Sequence, residues 1–192
     1  MKKILLFISA TFFAFCNLYA QNNDAAYTKV LTDRAQKIVN TLGIEDGEAY
    51  RRVTETLVNQ YKSIGFIYDS LSVDVREQKL YNLHCEFIGK LSADLSPEQI
   101  VKVKDGMTYG VVKVTYDSYC DMIPSLKEEE KRQLMAWLVE AREHAMDAPS
   151  SGKKHEWFGK YKGKFNIYLS QRGYDSKKER KAWEERLKKT NK

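Results

Sequence analysis

Apolar side chains recur every three or four residues along most of the chain from residue 24 onward, with charged residues between them. This spacing places the apolar positions on one face of an α-helix. The first such segment covers residues 24–42 and stops at Gly43, a second begins after Asp46, and a third covers residues 71–91. Consecutive helices of this length with short connections predict antiparallel neighbours in a bundle.

The clearest helix start is the sequence SPEQ at residues 96–99. Serine suits the N-cap, proline the first helical position, and glutamine the third position after the cap, where it completes a capping box. The pattern predicts a short helix that ends at Gly106. Residues 107–114 have the composition of a strand but no partner strand, so we interpret them as an extended crossover before a short helix that ends at Pro124.

Residues 134–169 predict two helices that flank a tight loop at residues 148–152, and a final charged helix follows Gly173. The sequence contains no internal repeat and no low-complexity segment. The chain is therefore expected to be mostly α: a single-domain helical bundle of about six to eight helices with one extended crossover segment. The domain covers residues 21–192 and ends in a basic helical hairpin at residues 151–192.

The first twenty residues have the features of a signal peptide. Lys2 and Lys3 precede an apolar run at residues 4–15, and Ala20 offers a small residue for cleavage. Lipidation at Cys16 is the weaker alternative, because a bulky residue precedes the cysteine. The apolar run is shorter than the roughly 20 residues that a membrane span needs. We therefore expect an exported protein whose mature chain has no membrane span.

Charge is distributed unevenly along the chain. Residues 151–192 carry 14 Lys and Arg against 5 Asp and Glu, whereas residues 21–150 carry 16 against 21. A basic face often binds nucleic acid, but export argues against that partner. An anionic or neutral glycan, or an acidic protein surface, fits the location better. A lysine-rich terminal helix is also commonly just a solvated surface, and this simpler interpretation stays open.

Two cysteines, Cys85 and Cys120, remain after the predicted cleavage. An exported location permits a disulfide between them. Both lie among apolar residues, so buried free thiols are an equally consistent outcome. The sequence leaves the two alternatives open, because a bridge depends on the distance between the two residues in the fold.

Several candidate site residues lie around the loop at residues 148–152. His144 and Asp147 are three apart on one helix face, and His155 could fold back across the loop. Their side chains can bind metals, but no HExxH or paired-cysteine spacing is present, so we expect no metal and no cofactor. A simpler role for His144 is a contact with Glu140 or Asp147. The chain has no Gly-x-Ser-x-Gly elbow, and no residue is assigned a catalytic role.

Aromatic and basic side chains alternate in the second helix of this stretch. Trp157 and Tyr161 lie at helical spacing and are expected to face the core, with the lysines in solvent. One or two aromatic rings near the loop could instead stay exposed and stack on sugar rings, while nearby basic side chains contact hydroxyls or carboxylates. The resulting candidate ligand-binding set is His144, Asp147, His155, Trp157, Lys160, Tyr161 and Lys164.

Three segments carry a resemblance to a known family. They read LSPEQIVKVKDGMTYG, IPSLKEEEKRQLMAWLVEAREHAMDAPSS and KHEWFGKYKGKFNIYLSQRGYD. Over nearly all residues after the signal peptide, the chain resembles an exported family of glycan-degrading Gram-negative bacteria, catalogued as domain of unknown function 3826 and described as sugar-binding. The resemblance implies a periplasmic or cell-surface location and a non-catalytic, carbohydrate-binding accessory role in polysaccharide utilisation.

Two other functions stay open. The SPEQ sequence is similar to the LTxxQ-type motif of small helical periplasmic chaperones, so the protein could bind unfolded chains or a protein partner. The second alternative is an uncharacterised glycan-active enzyme, although the sequence names no catalytic residues for it. A family resemblance does not supply them, because function depends on the site and not on the fold.

Overall fold

A computed structural model describes residues 24–190 of the chain. Within these residues all regular structure is helical, which confirms the predicted all-α class. The helices are α1 (24–39), α2 (Gly47–Ser70), α3 (Val73–Leu91), α4 (Pro97–Met107), α5 (Val111–Met122), α6 (Glu128–Met146), α7 (Ser151–Gln171) and α8 (Ser176–Thr190). The predicted signal peptide, including Cys16, lies outside the described residues.

The described residues divide into two compact units, 24–62 and 63–190. The first unit contains α1 and most of α2. Gly43 has a φ of +68°, a left-handed conformation that glycine adopts without steric cost, and it separates the two helices. Asp46 then caps α2, since its Oδ1 accepts the N–H of Glu48 at 2.8 Å.

The second unit has its core between α5, α6 and α7. Apolar side chains at helical spacing on these three helices are buried together, among them Val112, Tyr119, Leu134, Leu138, Phe158, Phe165 and Leu169. Helices α6 and α7 form a hairpin, in which Ser150 caps α7 by accepting the N–H of Lys153 at 3.3 Å. This hairpin positions the aromatic and basic side chains that the sequence singles out.

A buried lysine closes the bend of the hairpin. Lys154 donates from Nζ to the carbonyl oxygens of Ala145 at 3.1 Å and Met146 at 3.0 Å. These carbonyls lie at the end of α6, and that of Ala145 also accepts the backbone N–H of Ala148 at 3.1 Å. The ammonium group adds a charged donor to both carbonyls and interacts favourably with the negative end of the helix dipole. The prediction that the lysines of α7 all face solvent is therefore wrong for Lys154, which is buried.

The helix start at residues 96–99 is confirmed. Gln99 donates its backbone N–H to Ser96 Oγ at 3.3 Å, and Ser96 donates its own N–H to Gln99 Oε1 at 2.9 Å. Pro97 occupies the first position of α4. The reciprocal pair is a complete capping box.

The predicted extended crossover at residues 107–114 is wrong. Helix α4 continues to Met107, a short turn follows in which Tyr109 and Gly110 have φ values of 60° and 65°, and α5 already begins at Val111. The β-branched residues suggested a strand, but Val112 and Thr115 lie three apart and are both buried on one face of α5. Burial at helical spacing overrides the weak local preference.

Helices α7 and α8 occupy the predicted basic hairpin, of which residues 191–192 lie outside the described part. Asp175 caps α8, because its Oδ1 accepts the N–H groups of Lys177 at 3.0 Å and Lys178 at 3.1 Å. Within residues 24–190, no helix combines the length and apolar composition that crossing a bilayer requires.

The disulfide that the sequence left open is not formed. Cys85 is a free thiol exposed on α3, whereas Cys120 is a half-buried free thiol on α5. Cys120 lies one turn from Tyr116 on its own helix. The two cysteines thus have separate surroundings, a relation that spacing along the sequence does not reveal.

Candidate functional site

The α6–α7 hairpin brings His144 and Trp157 together. Their rings stack with centroids 4.5 Å apart and planes 16° from parallel. Lys160, one turn further along α7, places its Nζ 4.1 Å from the centroid of the Trp157 ring. The Trp157 ring is thus in contact with the imidazole of His144 and the ammonium group of Lys160. The side chains of His144 and Lys160 are both exposed to solvent.

The same arrangement continues along the hairpin. Lys164 Nζ lies 4.5 Å from the ring centroid of Trp137 on α6 and 5.4 Å from that of Tyr161. Trp137 also stacks on the buried ring of Phe165, with centroids 5.9 Å apart. Trp137 therefore offers its outer face to Lys164 and to solvent.

A third cation completes the row. The guanidinium carbon of Arg172 lies 3.6 Å from the ring centroid of Tyr168, and Tyr168 meets Trp137 edge to face at 5.1 Å. We call this surface the aromatic strip; its members are Trp137, Trp157, Tyr168, Lys160, Lys164 and Arg172. Between residues 157 and 168 of α7 it extends about 16 Å, given a rise of about 1.5 Å per residue.

Glu140 of α6 lies beside the strip. It is 4.0 Å from Lys164 Nζ, and it also bonds to the hydroxyl of Tyr161. Burial, together with the Glu140 carboxylate, raises the pKa of Tyr161 to about 12, so its hydroxyl stays neutral and remains a hydrogen-bond donor. Tyr161 is buried, which confirms its core placement, whereas Trp157 is only half-buried.

His155 lies on another side of α7. It is two residues from Trp157, so the two side chains point about 200° apart around the helix. The His155 ring stacks on Tyr109, with centroids 5.8 Å apart. Tyr109 is 53% exposed and holds a left-handed φ of 60°, a conformation that costs a non-glycine residue about 1–2 kcal/mol.

Asp147 does not join the other candidate residues. Its Oδ2 lies 2.7 Å from Nδ1 of His84 on α3, and Nε2 of the same ring lies 3.4 Å from Oε2 of Glu143. The hydrogen bond with Asp147 and the contact with Glu143 raise the pKa of His84 to about 9. With a carboxylate at each nitrogen, the ring is an imidazolium at neutral pH and cannot act as a general base.

Further charges surround this histidine. Lys104 donates to Glu143 Oε2 at 2.6 Å, and the buried Arg142 donates to Glu143 Oε1 at 3.1 Å and to Asp105 Oδ1 at 2.9 Å. Burial alone would raise the pKa of Glu143, but its bonds with His84 and Lys104 outweigh that effect and lower it to about 2. We call this group the ionic cluster; its members are His84, Lys104, Asp105, Arg142, Glu143 and Asp147.

The structure thus separates the seven predicted residues. His144, Trp157, Lys160, Tyr161 and Lys164 lie together along the α6–α7 hairpin, whereas His155 and Asp147 lie apart from them and from each other. Within the described residues, no group of three or more His, Cys, Asp or Glu side chains is arranged to hold a metal ion.

Sequence reasoning missed several members of both groups. The strip had a usable signal, since each of its two α7 rings, Trp157 and Tyr168, is followed by a cation three or four residues later. No sequence signal predicts the hydrogen bond between His84 and Asp147, because 63 residues separate them along the chain. Tyr109 was predicted only as part of the extended crossover at residues 107–114.

Residues 70–189 match the model of a protein family described as "Protein of unknown function (DUF3826)". The matched region begins at the end of α2 and includes both the aromatic strip and the ionic cluster. No curated protein matches the chain.

Proposed function

The chain belongs to the family described as protein of unknown function DUF3826, and on that premise we propose that it is an exported, non-catalytic carbohydrate-binding accessory protein. The observation that supports this proposal is the aromatic strip. Trp137, Trp157 and Tyr168 are half-buried, and each has an exposed cation over its ring.

The chemistry of the strip suits a sugar chain. The apolar face of a sugar ring stacks on indole and phenol rings, while ammonium and guanidinium groups bind hydroxyls and carboxylates. The cations are on flexible, exposed side chains, so they can move from a ring face to a ligand at a cost of about 0.5–1 kcal/mol for each cation–π contact. With about 16 Å of length, the strip offers several adjacent ring-binding positions.

A polysaccharide with carboxylate groups is the favoured ligand. The strip carries Lys160, Lys164 and Arg172. Glu140 lies 4.0 Å from Lys164 and Glu130 lies 3.8 Å from Arg172, so the three cations outnumber these two carboxylates by one. A net positive surface attracts an anionic chain, and this attraction weakens as salt is added. We also propose that the protein is exported by a Gram-negative bacterium and takes part in polysaccharide utilisation.

The chaperone alternative gains no support from the SPEQ sequence. Ser96 and Gln99 bond to each other's backbone, so the motif is accounted for by its capping role at the start of α4. A glycan-active enzyme would need proton-transfer groups at the strip, and the carboxylates there, Glu140 and Glu130, lie against Lys164 and Arg172. His84 is enclosed by carboxylates, and the imidazole of His144 is stacked on Trp157.

The proposal is tested by affinity electrophoresis of the purified mature protein through gels containing neutral or acidic polysaccharides. We expect an acidic polysaccharide to retard the protein, and Trp157→Ala to weaken that binding about tenfold, which equals about 1.4 kcal/mol. Tyr81→Ala is the matched control, because Tyr81 is an exposed ring on α3, outside the strip.

Circular dichroism of each variant shows whether the fold is retained. Unchanged migration of folded protein on every polysaccharide would refute the proposal. Release of new reducing ends from the same panel would instead identify an enzyme. Suppression of client aggregation without any glycan binding would identify a chaperone.

A further inference from the structure

A cavity lies between α5, α7 and α8, with a volume of about 320 Å³. It is separate from the aromatic strip. Lys162, which lines this cavity, is two residues from both Lys160 and Lys164, so it points about 200° away from them around α7. The cavity therefore opens on the opposite flank of the same helix.

Two aromatic residues with fixed positions form its walls. Trp183 of α8 donates its indole N–H to Asp121 Oδ2 at 2.5 Å, and Arg186 donates to the carbonyl oxygen of Asp121 at 2.6 Å. These bonds attach α8 to the end of α5 and hold the indole ring in place. Tyr119 packs edge to face on Phe165, with centroids 5.4 Å apart.

The hydroxyl of Tyr119 is a neutral hydrogen-bonding group in this cavity. Burial raises the pKa of Tyr119, so its phenol stays protonated. Its hydroxyl donates a hydrogen bond to Asn166 Oδ1 that is long at 3.3 Å. Ser118 lines the same cavity with a second hydroxyl. Both oxygens retain lone pairs that can accept a hydrogen bond from a ligand.

The charges in the cavity are not balanced. Lys162 of α7 and Arg180 of α8 both line it, and among residues 24–190 neither forms an ion pair. Glu184 is the one carboxylate that lines the cavity. One positive charge is therefore left for a ligand to neutralise. By contrast, several other cations of this unit, such as Lys104 and Lys131, have carboxylate partners within 3 Å.

We propose that this cavity binds a sugar acid of the uronate class. The carboxylate of the ligand lies between Lys162 and Arg180, its ring packs on Trp183, and its hydroxyls bond to Tyr119 and Ser118. The volume lies at the lower end of the range of about 300–1,000 Å³ for ligand sites, which suits a single sugar ring. This site goes beyond the proposed function, because it can operate whether or not the strip binds polysaccharide.

The test is a titration of the folded protein with sodium glucuronate, followed by the indole N–H resonances of the three tryptophans in ¹⁵N-labelled protein. We expect the Trp183 resonance to shift and saturate. Lys162→Gln and Arg180→Gln are each expected to weaken binding about fivefold or more, because a charge-assisted bond is lost. Lys177→Gln is the matched control, since Lys177 is an exposed lysine of α8 that does not line the cavity.

Two comparison ligands sharpen the result. Glucose lacks the carboxylate and is expected to give no saturable shift, whereas acetate lacks the ring and is expected to bind much more weakly. Equal shifts with glucose, equal affinity for acetate, or unchanged glucuronate binding by both charge variants would each overturn the assignment. Trp157→Ala separates this site from the strip, because it should leave glucuronate binding unchanged even where polysaccharide binding is lost.

Discussion

The ionic cluster and the aromatic strip both use charged residues of α6 and its neighbours, but they place the charges differently. In the cluster, Glu143 accepts bonds from Lys104 and Arg142 and also contacts His84, so this carboxylate is paired with three positive groups. In the strip, Lys160 and Lys164 lie over aromatic rings. Paired, partly buried charges fix helices relative to each other, whereas exposed cations over rings remain free to bind a ligand.

The largest expected effect comes from breaking the centre of the ionic cluster. Glu143→Gln should lower the free energy of unfolding by about 2–4 kcal/mol, because it leaves the buried Arg142 and the charged His84 short of a negative partner. Urea denaturation measures the change.

The control for this variant is Glu140→Gln, one turn earlier on α6. Its carboxylate is exposed and lies 4.0 Å from Lys164, and the glutamine carbonyl can still accept the bond from the Tyr161 hydroxyl, so the loss of the charge should cost less than about 0.5 kcal/mol. Equal losses of stability in the two variants would mean that the contrast between paired and exposed charges is wrong.

The second effect is a pH dependence of stability from His84. Its folded pKa of about 9 lies above the usual 6.5, so its contribution is fully present below about pH 6.5 and is lost as the pH rises through about 9. The difference in stability between wild type and His84→Gln should therefore be largest near pH 6 and vanish above about pH 9.

Urea denaturation of both proteins across this pH range tests the effect. His155→Gln provides the control, because His155 stacks on Tyr109 and, within residues 24–190, forms no ion pair with a carboxylate such as those of His84. A stability difference for His84→Gln that stays constant from about pH 6 to about pH 10 would contradict the charged state assigned to this ring.

The smallest expected effect on stability comes from the strip. Lys164→Gln should change the free energy of unfolding by less than about 1 kcal/mol, the size of an exposed cation–π contact. The same variant should weaken binding of an acidic polysaccharide and flatten its dependence on salt, because one of the positive charges is gone. Electrophoresis at two salt concentrations measures this, and an unchanged salt dependence would exclude Lys164 from the binding surface.

Local signals in the sequence predicted most of the fold. The SPEQ capping box, the helix positions and the α6–α7 hairpin all depend on residues within a few positions of each other. The start of α5 was mispredicted because its valines and threonine satisfy both a strand preference and a helical burial pattern. Only the packing of Val112 and Thr115 decides between the two.

The candidate site was predicted less completely, for a physical reason. His144 and Trp157 meet across a short loop, so the hairpin alone brings them together. Asp147 lies one helical turn from His144, but its side chain bonds to His84, which comes from a distant part of the chain. Spacing along one helix gives the direction of a side chain, but it does not identify the residue that this side chain contacts.

The buried Lys154 has a consequence for how quickly a ligand binds. Because its ammonium group holds the end of α6 against α7, the spacing between the rings of the strip is set before any ligand arrives. Binding then requires no prior rearrangement of the hairpin. We expect the observed association rate to rise linearly with polysaccharide concentration and to show no plateau, as for a preorganised surface.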